Sequence, residues 1–380
     1  MLFPEFKYIG IEEFLSVLAG LSLILLIIHY FLVYWPAAAM KTGLSTPGEN
    51  LEPVSIIICA KNEDENLTEY LPKVLTQEYP EFEVIVVNDC SWDNTETVID
   101  EFVKIFPNLK KVNIKEDSYY KHGKKFAIVV GIKGAKYENL LFIDADCYPS
   151  SIHWLKEMAA GFSSTKKIVL GYGAYIKRDG LLNKLIRFDT FLIALHYLSA
   201  AVKNKAYMGV GRNLAYTKSL FFEKKGFASH YHITSGDDDL FVNEAASATN
   251  TNACISHTSI TYSKAKTSFK EWRRQKHRHL TTAPQYNAAT KFKLGFDYFI
   301  KYFFYGTLIA LFFHKSTLLV ALGLFLLKII FQMIIFNKAS KKMNEKDLWA
   351  FAFFYEFVLL LVYPVFHITK LFNRPNKWTN

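Results

Sequence analysis

The stretch Leu140-Leu-Phe-Ile-Asp-Ala-Asp-Cys147 runs four apolar residues directly into two carboxylates separated by one alanine. An apolar run of this length, bounded by polar residues, predicts a buried strand. Asp144 and Asp146 are two residues apart, so they point to the same side of an extended chain. Because ligands of open α/β sheets collect at the carboxyl ends of strands, a hard divalent cation there would relieve their repulsion. The alternative is a pair of loop aspartates that cap the next helix.

Strand patterns and helical patterns alternate between about residues 53 and 148. Short links join them, which predicts an α/β fold with a mostly parallel sheet and flanking helices. Polar clusters also follow the first two strands, so all three clusters should share one edge of the sheet. The G-x-G-x-x-G fingerprint of dinucleotide-binding domains does not follow the first strand. The predicted strands are 54–60, 82–87, 111–115 and 140–143, and the predicted helices are 65–76, 94–106 and 124–136.

Long apolar segments lie near both ends of the chain. Apolar residues make up 51% of the 380 residues and aromatic residues 16%, and the excess is concentrated in these segments. Residues 14–35 carry no Lys, Arg, Asp or Glu, and a helix of about 22 residues spans roughly 33 Å, enough to cross the hydrocarbon core. We predict one N-terminal transmembrane helix and about three C-terminal ones, with buried helices of a soluble protein as the alternative. The C-terminal segments are 294–313, 316–336 and 348–368, and the first two contain Asp297, Lys301 and Lys328.

Basic residues predict the orientation. The formal net charge of +10 lies in lysine-rich segments that flank the apolar spans, which suits anionic lipids and does not indicate nucleic acid. The lysine-rich loop 337–347 is predicted to be cytoplasmic, which also places the region between the first two spans in the cytoplasm. The tail disagrees with this topology, because Lys370, Arg374 and Lys377 favour the cytoplasm although four spans would place them outside. Either the last segment is re-entrant or interfacial, or the topology contains an error.

Two further segments have the composition of interfacial helices. Residues 181–201 are apolar but interrupted by three charged side chains, and a core helix is equally consistent with that pattern. Residues 267–279 are basic and include two aromatic side chains. The four cysteines show no C-x-x-C spacing, which indicates reduced thiols and neither a disulfide framework nor a zinc site.

The motifs of the middle region, taken in order, resemble those of the family 2 glycosyltransferases, which are membrane-anchored inverting enzymes with a GT-A fold. The resemblance covers roughly residues 50 to 280, and the ordered set is specific although each single motif is weak. It implies a Rossmann-like GT-A domain and a nucleotide-sugar donor, with a UDP-sugar as the leading candidate. It also implies Mn²⁺ or Mg²⁺ on the donor diphosphate. The motifs are Pro53-Val-Ser-Ile-Ile-Ile-Cys-Ala-Lys-Asn-Glu63, Val87-Asn-Asp-Cys-Ser-Trp-Asp-Asn-Thr95, Gly123-Lys124, Asp144-Ala-Asp146, Gly209-Val-Gly-Arg-Asn-Leu-Ala-Tyr216, Gly236-Asp-Asp-Asp-Leu240 and Gln275-Lys-His-Arg278.

The resemblance assigns roles at the first strand ends. Glu63 and Asp89 could hold the base and the ribose of the donor through carboxylate hydrogen bonds. Lys124 opens a helix after a glycine, where its ammonium group can meet donor oxygens, although a solvated lysine is the alternative. Asp144 would face the ribose or the metal, and Asp146 is the preferred direct metal ligand.

Asp237, Asp238 and Asp239 form a second acidic centre. An inverting transfer needs a base that takes the proton of the acceptor hydroxyl, and adjacent carboxylates raise one another's proton affinity. The family usually has two acidic residues here, the second being the base, which favours Asp238, or Asp237 if the motif is shifted by one residue. An acidic helix N-terminus stabilised by the helix dipole is the alternative.

Gln275 and Arg278 correspond to the Gln-x-x-Arg-Trp segment of the family, which lies beside the diphosphate and the acceptor. Being three residues apart, they share a helical face, and the guanidinium could stabilise the leaving diphosphate. A plain basic interfacial helix is the alternative. His279 replaces the tryptophan that forms an acceptor-stacking surface in the processive synthases.

The sequence therefore predicts a membrane-bound inverting glycosyltransferase with a cytoplasmic catalytic domain in the cell or inner membrane. Its expected partners are a nucleotide-sugar donor, a lipid-linked or glycan acceptor and membrane lipids. A processive polysaccharide synthase, a non-catalytic nucleotide-sugar-binding subunit and a cation-coupled transporter are the alternatives. The predicted domains are an N-terminal anchor (1–40), a GT-A domain (41–265), an interfacial helix with the Gln-x-x-Arg segment (266–293) and a transmembrane region (294–380).

Overall fold

The computed structural model describes residues 10–40, 51–115 and 123–372. They form a seven-stranded mixed sheet, a three-stranded sheet and flanking helices, with long helices toward both ends of the chain. This arrangement confirms the predicted α/β class. We call residues 51–115 and 123–279 the sheet domain. The strands are β1 (Val54–Ala60), β2 (Phe82–Asp89), β3 (Leu109–Ile114), β4 (Asn139–Phe142), β5 (Cys147–Pro149), β6 (Ile168–Leu170), β7 (Gly173–Tyr175), β8 (Leu214–Thr217), β9 (Thr251–Ala253) and β10 (Thr261–Ser263).

Every strand and helix predicted between residues 54 and 143 is present, with ends that agree to within about two residues. The sequence patterns suffice here because the apolar positions follow the strand and helix periods closely. The helices are α1 (Ile11–Val33), α2 (Trp35–Ala39), α3 (Asp64–Leu75), α4 (Thr95–Ile105), α5 (Lys124–Gly134), α6 (Trp154–Ala159), α7 (Leu181–Val202), α8 (Lys218–Glu223), α9 (Asp239–Ala245), α10 (Phe269–His279), α11 (Ala288–Phe312), α12 (Leu318–Lys342) and α13 (Ala352–Leu371).

The large sheet has the strand order β3-β2-β1-β4-β8-β6-β9. The first four strands are parallel, whereas β8 runs antiparallel to β4 and β6. Ile56 and Ile57 of β1 are buried in two different apolar clusters, as expected for a parallel strand covered on both faces. The strand order reverses between β1 and β4, and such a switch point opens a crevice at the carboxyl ends of the two strands.

The long apolar helices form a bundle beside the sheet domain. By length and composition, α1, α7, α13, and α12 with the turn before it, could each cross a membrane. Helix α11 is more polar, but it packs along α1, where the hydroxyl oxygens of Ser22 and Thr307 are 3.0 Å apart and His29 Nε2 is 2.7 Å from Asp297 Oδ1. Helix α7 is mostly buried inside the protein, which agrees with the core-helix interpretation of residues 181–201.

Helix α13 lies across α7. The ring of Tyr355 packs on Phe188 with centroids 5.3 Å apart, and the Tyr363 hydroxyl donates a hydrogen bond of 2.5 Å to Asp189. The two tyrosines are separated by about 12 Å along α13, yet they contact adjacent residues of α7. These two contacts pack α13 against the N-terminal half of α7.

The last turn of α13 contacts α10 of the sheet domain. Phe366 packs against Trp272 with ring centroids 5.1 Å apart, and the Lys370 ammonium donates to the carbonyl of Leu280. The α11–α12 turn, in contrast, lies beside the start of α1. These contacts place Lys370 on the side of the sheet domain, and the segment Trp349–Leu371 is itself long and apolar enough to cross a membrane. Arg374 and Lys377 lie outside the described residues.

Arg187 of α7 fastens the loop between α12 and α13 to the sheet domain. Its guanidinium is 2% exposed and donates to both carboxylate oxygens of Asp347, at 2.8 and 2.7 Å, and to Glu345. Glu345 also accepts a hydrogen bond of 3.0 Å from the Tyr172 hydroxyl. Burial raises the pKa of Glu345 to about 7 despite the opposing charge of Arg187. The lysine-rich loop and the sheet domain therefore lie on the same side of the bundle.

The substitution Arg187→Met should reduce the free energy of unfolding by about 3–5 kcal/mol, because it leaves the buried Glu345 carboxylate without its counter-charge. Thermal unfolding of the purified protein in detergent measures this loss. Lys177→Met is the matched control, since the exposed Lys177 contacts the same Asp347 at 3.5 Å and should change stability by less than about 1 kcal/mol. Equal melting temperatures for the two variants would contradict the role of Arg187.

Candidate active site

Lys124, the first residue of α5, lies in the crevice between β1 and β4. Its Nζ is 2.8 Å from Asp144 Oδ1 and 2.9 Å from Asp237 Oδ2. Burial lowers the pKa of Lys124, but the two carboxylates outweigh that effect and the pKa is well above its ordinary value. Three residues that the sequence predicted for one site, which lie after β4, on α5 and in the loop before α9, therefore meet at the switch point of the sheet.

Asp237 and Asp239 both have partners that fix their carboxylates. Burial opposes the ionisation of Asp237, but the Lys124 ammonium overcomes it and lowers the pKa of Asp237. Asp239 Oδ2 accepts hydrogen bonds from the hydroxyls of Thr282, at 2.5 Å, and Tyr286, at 2.7 Å. Asp239 therefore anchors the segment that leads into α11.

Asp238 differs from both neighbours. Its carboxylate accepts backbone hydrogen bonds from Gly211, at 2.8 Å, and Asp239, at 2.7 Å, and it forms no ion pair with a described residue. Burial, together with the charges of Asp237 and Asp239, raises the pKa of Asp238 to about 7. A carboxyl group with this pKa can accept a proton at neutral pH, which is what a general base requires.

Asp144 and Asp146 form a second acidic group on the same edge, together with Cys147. One ligand atom from each of these residues lies within 4.8 Å of the others. Burial and the charge of Asp144 raise the pKa of Asp146. The neighbouring cations therefore do not fully offset the repulsion between the two carboxylates. The Cys147 thiol donates a hydrogen bond to Asp146, and burial raises its pKa well above the usual range. The two hard carboxylates therefore fit Mn²⁺ or Mg²⁺ better than a thiolate-binding metal.

Arg212 is a site residue to which the sequence pattern assigned no role. Its guanidinium stacks 4.3 Å from the centroid of the Tyr175 ring and donates 3.0 Å to Ser263 Oγ. Its charge lowers the pKa of Asp146, against the larger effect of burial. Arg212 belongs to the motif at 209–216 and lies just before β8. This position next to a strand is the feature of the sequence that could have indicated a place in the site.

The other predicted donor-binding residues lie outside the group of carboxylates that Lys124 bridges. Glu63 follows β1 and accepts a hydrogen bond of 2.6 Å from Asn66. Asp89 ends β2 and is fully buried. Gln275 donates 3.0 Å to the hydroxyl of Tyr175, whereas Arg278 is exposed on α10. Glu63 and Asp89 thus share the sheet edge with Asp144, and Gln275 reaches the site through Tyr175.

Two cavities meet at Asp238. The smaller one, of about 20 Å³, is lined by Lys124, Asp144, Asp237 and Asp238. The larger one, of about 460 Å³, extends from Asp238 between α7, α10, α11 and α13 into the helix bundle. Asp238 and Gln275, which the sequence predicted beside the acceptor, therefore line the same large cavity.

Lys125 points away from the crevice and holds the loop that precedes the three aspartates. Its buried ammonium lies 2.8 Å from His230 Nδ1 and donates to the carbonyls of His230, at 2.6 Å, and Ile233, at 3.0 Å. Burial lowers the pKa of Lys125 to about 8. The two adjacent lysines at the start of α5 therefore fix both ends of the loop that carries Asp237.

Comparison with known proteins gives a family match for the sheet domain. Residues 55–223 match the family described as Glycosyl transferase family 2. Poly-beta-1,6-N-acetyl-D-glucosamine synthase of Staphylococcus epidermidis is 34% identical over 119 residues, which are 31% of this chain and 28% of that synthase. Glycosyltransferase AglE of Haloferax volcanii is 32% identical over 140 residues, 36% of this chain and 44% of that protein. The chain thus matches less than half the length of either relative.

A solved structure has the same fold. The mannosyltransferase PcManGT from Pyrobaculum calidifontis, in complex with GDP-Man and Mn²⁺, superposes with a TM-score of 0.54 at 18% sequence identity. The match covers 89% of this chain and 97% of that one. The similarity therefore includes helices outside the sheet domain.

The substitution Lys125→Met should loosen residues 230–236, because it leaves buried acceptors unpaired at a cost of about 1–3 kcal/mol each. Hydrogen exchange of the backbone amides in this loop, followed by mass spectrometry, should become faster. Lys133→Met, which changes an exposed lysine of the same helix, should leave the exchange unaltered. Unchanged protection of the loop in Lys125→Met would show that this lysine does not hold it.

Proposed function

Because residues 55–223 match glycosyltransferase family 2, we propose that the protein is a membrane-bound inverting glycosyltransferase. It moves a sugar from a nucleotide-sugar donor to a lipid-linked or membrane-proximal acceptor, and a UDP-sugar is the leading candidate for the donor. The observation that carries this proposal is the meeting of Lys124, Asp144 and Asp238 at the switch point, where Asp238 lines both the small and the large cavity. This geometry supports a donor at the sheet edge and an acceptor that arrives from the bundle.

Asp238 serves as the general base. The oxygen of the acceptor hydroxyl attacks the anomeric carbon of the donor sugar while Asp238 takes the hydroxyl proton. The bond from the anomeric carbon to the diphosphate oxygen breaks, and the nucleoside diphosphate leaves with the electron pair. Asp238 is favoured over Asp237 because Lys124 already neutralises Asp237, and over Asp239 because Thr282 and Tyr286 occupy its oxygen.

The donor is bound along the sheet edge. Lys124 and Arg212 supply positive charge beside the acidic residues, and Glu63 and Asp89 hold the base and ribose. A divalent cation held by Asp146 and Asp144 would neutralise the diphosphate and assist its departure. Arg278, exposed on α10, is free to approach the leaving diphosphate, and Gln275 positions Tyr175 beside Arg212.

The catalytic domain is assigned to the cytoplasmic side. The lysine-rich loop between α12 and α13 is held to the sheet domain by Arg187, and such loops remain in the cytoplasm. Lys370 lies on this same side, so this lysine and the basic loop support a single orientation.

A processive polysaccharide synthase is the second candidate, supported by the names of several relatives. The two candidates differ in their products. Incubation of the purified protein with radiolabelled UDP-sugars and native membrane lipids would give a ladder of oligosaccharides from a processive enzyme and a single added sugar from a simple transferase.

The substitution Asp238→Asn should reduce turnover by about 10²–10⁴-fold while donor binding is retained, because only the proton acceptor is lost. The wild-type rate should rise about tenfold per pH unit toward pH 7 and level off above it, since the carboxylate form is the active one. This follows from the pKa of about 7 for Asp238. Asp179→Asn, at an exposed position, is the control, and near-normal turnover by Asp238→Asn would overturn the assignment.

Removal of divalent cations with EDTA should abolish sugar transfer, and Mn²⁺ should restore it. Asp146→Asn should weaken Mn²⁺ binding at least about tenfold, measured by electron paramagnetic resonance of free Mn²⁺ in the presence of UDP. Asp179→Asn again provides the reference. Full activity of the EDTA-treated enzyme would exclude the metal assignment.

A further inference from the structure

Three lysines gather where the ends of α1 and α7 meet the beginning of α11. Lys203 and Lys205 follow the end of α7, and the Lys203 ammonium donates a hydrogen bond of 3.2 Å to the carbonyl of Leu32, near the end of α1. The Lys293 ammonium lies 5.3 Å from the centroid of the Tyr207 ring, two residues beyond Lys205. We call Lys203, Lys205 and Lys293 the lysine cluster.

The charge of the lysine cluster is not neutralised within the described part of the chain. Burial lowers the pKa of Lys293, and the charges of Lys203 and Lys205 lower it further, against the smaller opposing effect of Asp297. Asp297 is itself paired with Lys301 at 2.7 Å. None of the three cluster lysines forms an ion pair with a described acidic residue. The cluster is therefore suited to an anion that comes from outside these residues.

A row of stacked phenylalanine side chains runs along α11 from this cluster. The ring centroids of Phe292 and Phe296, of Phe296 and Phe299, and of Phe299 and Phe303 are 6.1, 6.2 and 5.9 Å apart. Phe292 and Phe299 are 75% and 59% exposed. The row, which we call the phenylalanine ladder, is about 16 Å long. This is about half the thickness of the hydrocarbon core, so the ladder matches an acyl chain in one leaflet.

Helix α1 forms a second apolar surface beside the ladder. Phe296 packs against His29 with ring centroids 5.7 Å apart, and the nearby side chains of Ile28 and Leu32 are exposed. Because Lys203 donates to the carbonyl of Leu32, the apolar side chains of α1 also lead to the lysine cluster. The two helices and the cluster therefore form one surface with a cationic end, which is complementary to an amphiphile with a negative headgroup.

We propose that the lysine cluster and the phenylalanine ladder bind an anionic phospholipid. The lipid phosphate lies against the three ammonium groups, and one acyl chain lies along α11. The headgroup thereby joins the end of α7 to the beginning of α11, in the leaflet next to the sheet domain. None of the cluster lysines lines either cavity, so this site is separate from the proposed transfer reaction and does not rest on it.

The test titrates the purified full-length protein, in detergent and without a sugar donor, and counts bound molecules by native mass spectrometry. The ligands are dioleoyl phosphatidylglycerol, dioleoyl phosphatidylcholine and inorganic phosphate. We expect one phosphatidylglycerol to bind at a concentration at which neither other ligand binds. Equal binding of phosphatidylcholine, or displacement of phosphatidylglycerol by equimolar inorganic phosphate, would overturn the proposal. Because no transfer is measured, such a failure leaves the proposed function untouched.

Charge removal isolates the contribution of the lysine cluster. The triple variant Lys203→Gln, Lys205→Gln and Lys293→Gln should bind phosphatidylglycerol about 100-fold more weakly, since each lysine near an anionic lipid strengthens binding about fivefold. The matched control removes the same number of charges from exposed helix positions of the sheet domain, with Lys104→Gln, Lys133→Gln and Lys156→Gln. Equal affinities of the two triple variants would overturn the role of the cluster.

A variant of the phenylalanine ladder tests the site without changing its charge. Phe299→Ser should bind dioleoyl phosphatidylglycerol about fivefold more weakly, because apolar contact with the acyl chain is lost. Its affinity for dihexanoyl phosphatidylglycerol, whose chains are too short to reach this position, should not change. Ile330→Ser, at an exposed position of α12, is the control and should bind both lipids normally. Wild-type affinity for the dioleoyl lipid in Phe299→Ser would overturn the role of the ladder.

Discussion

One ammonium group holds the two acidic loops of the active site together. Lys124 bridges Asp144, which follows β4, and Asp237, which precedes α9, and without this charge the carboxylates would repel each other across the switch point. The same bridge keeps Asp237 ionised. The charge of Asp237 raises the pKa of Asp238, whereas the charge of Lys124 lowers it. The interaction therefore fixes the geometry of the site, and its two charges act in opposite directions on the pKa of Asp238, the base that we propose.

The active site is joined to the helix bundle through the residues that surround it. Asp239 binds the segment before α11, Gln275 of α10 binds Tyr175, and Asp189 of α7 is shared by Lys276 and Tyr363. Because α7, α10, α13 and the segment before α11 all line the cavity beside Asp238, the acceptor that we propose would be positioned by the bundle as much as by the sheet.

The sequence predicted the strands and the acidic edge because both depend on local patterns. Apolar runs defined β1, β2 and β4, and the carboxylates stand directly after them. The roles of Arg212 and Lys125 could not be predicted, since each depends on neighbours brought together only by folding, such as Tyr175 and His230. Helix α13 was predicted from its hydropathy, and it is long and apolar enough to cross a membrane, but its contacts with Phe188 and Trp272 depend on the fold and could not be predicted.

The ion pairs inside the bundle have a consequence for its response to the electric field of the membrane. Lys301 is matched by Asp297, and Lys328 by Glu356, so each pair carries no net charge. A voltage does work on a protein only by displacing net charge along the field. These buried groups therefore give the bundle little voltage sensitivity, and de-energised and energised membranes should present the same cavity to the acceptor.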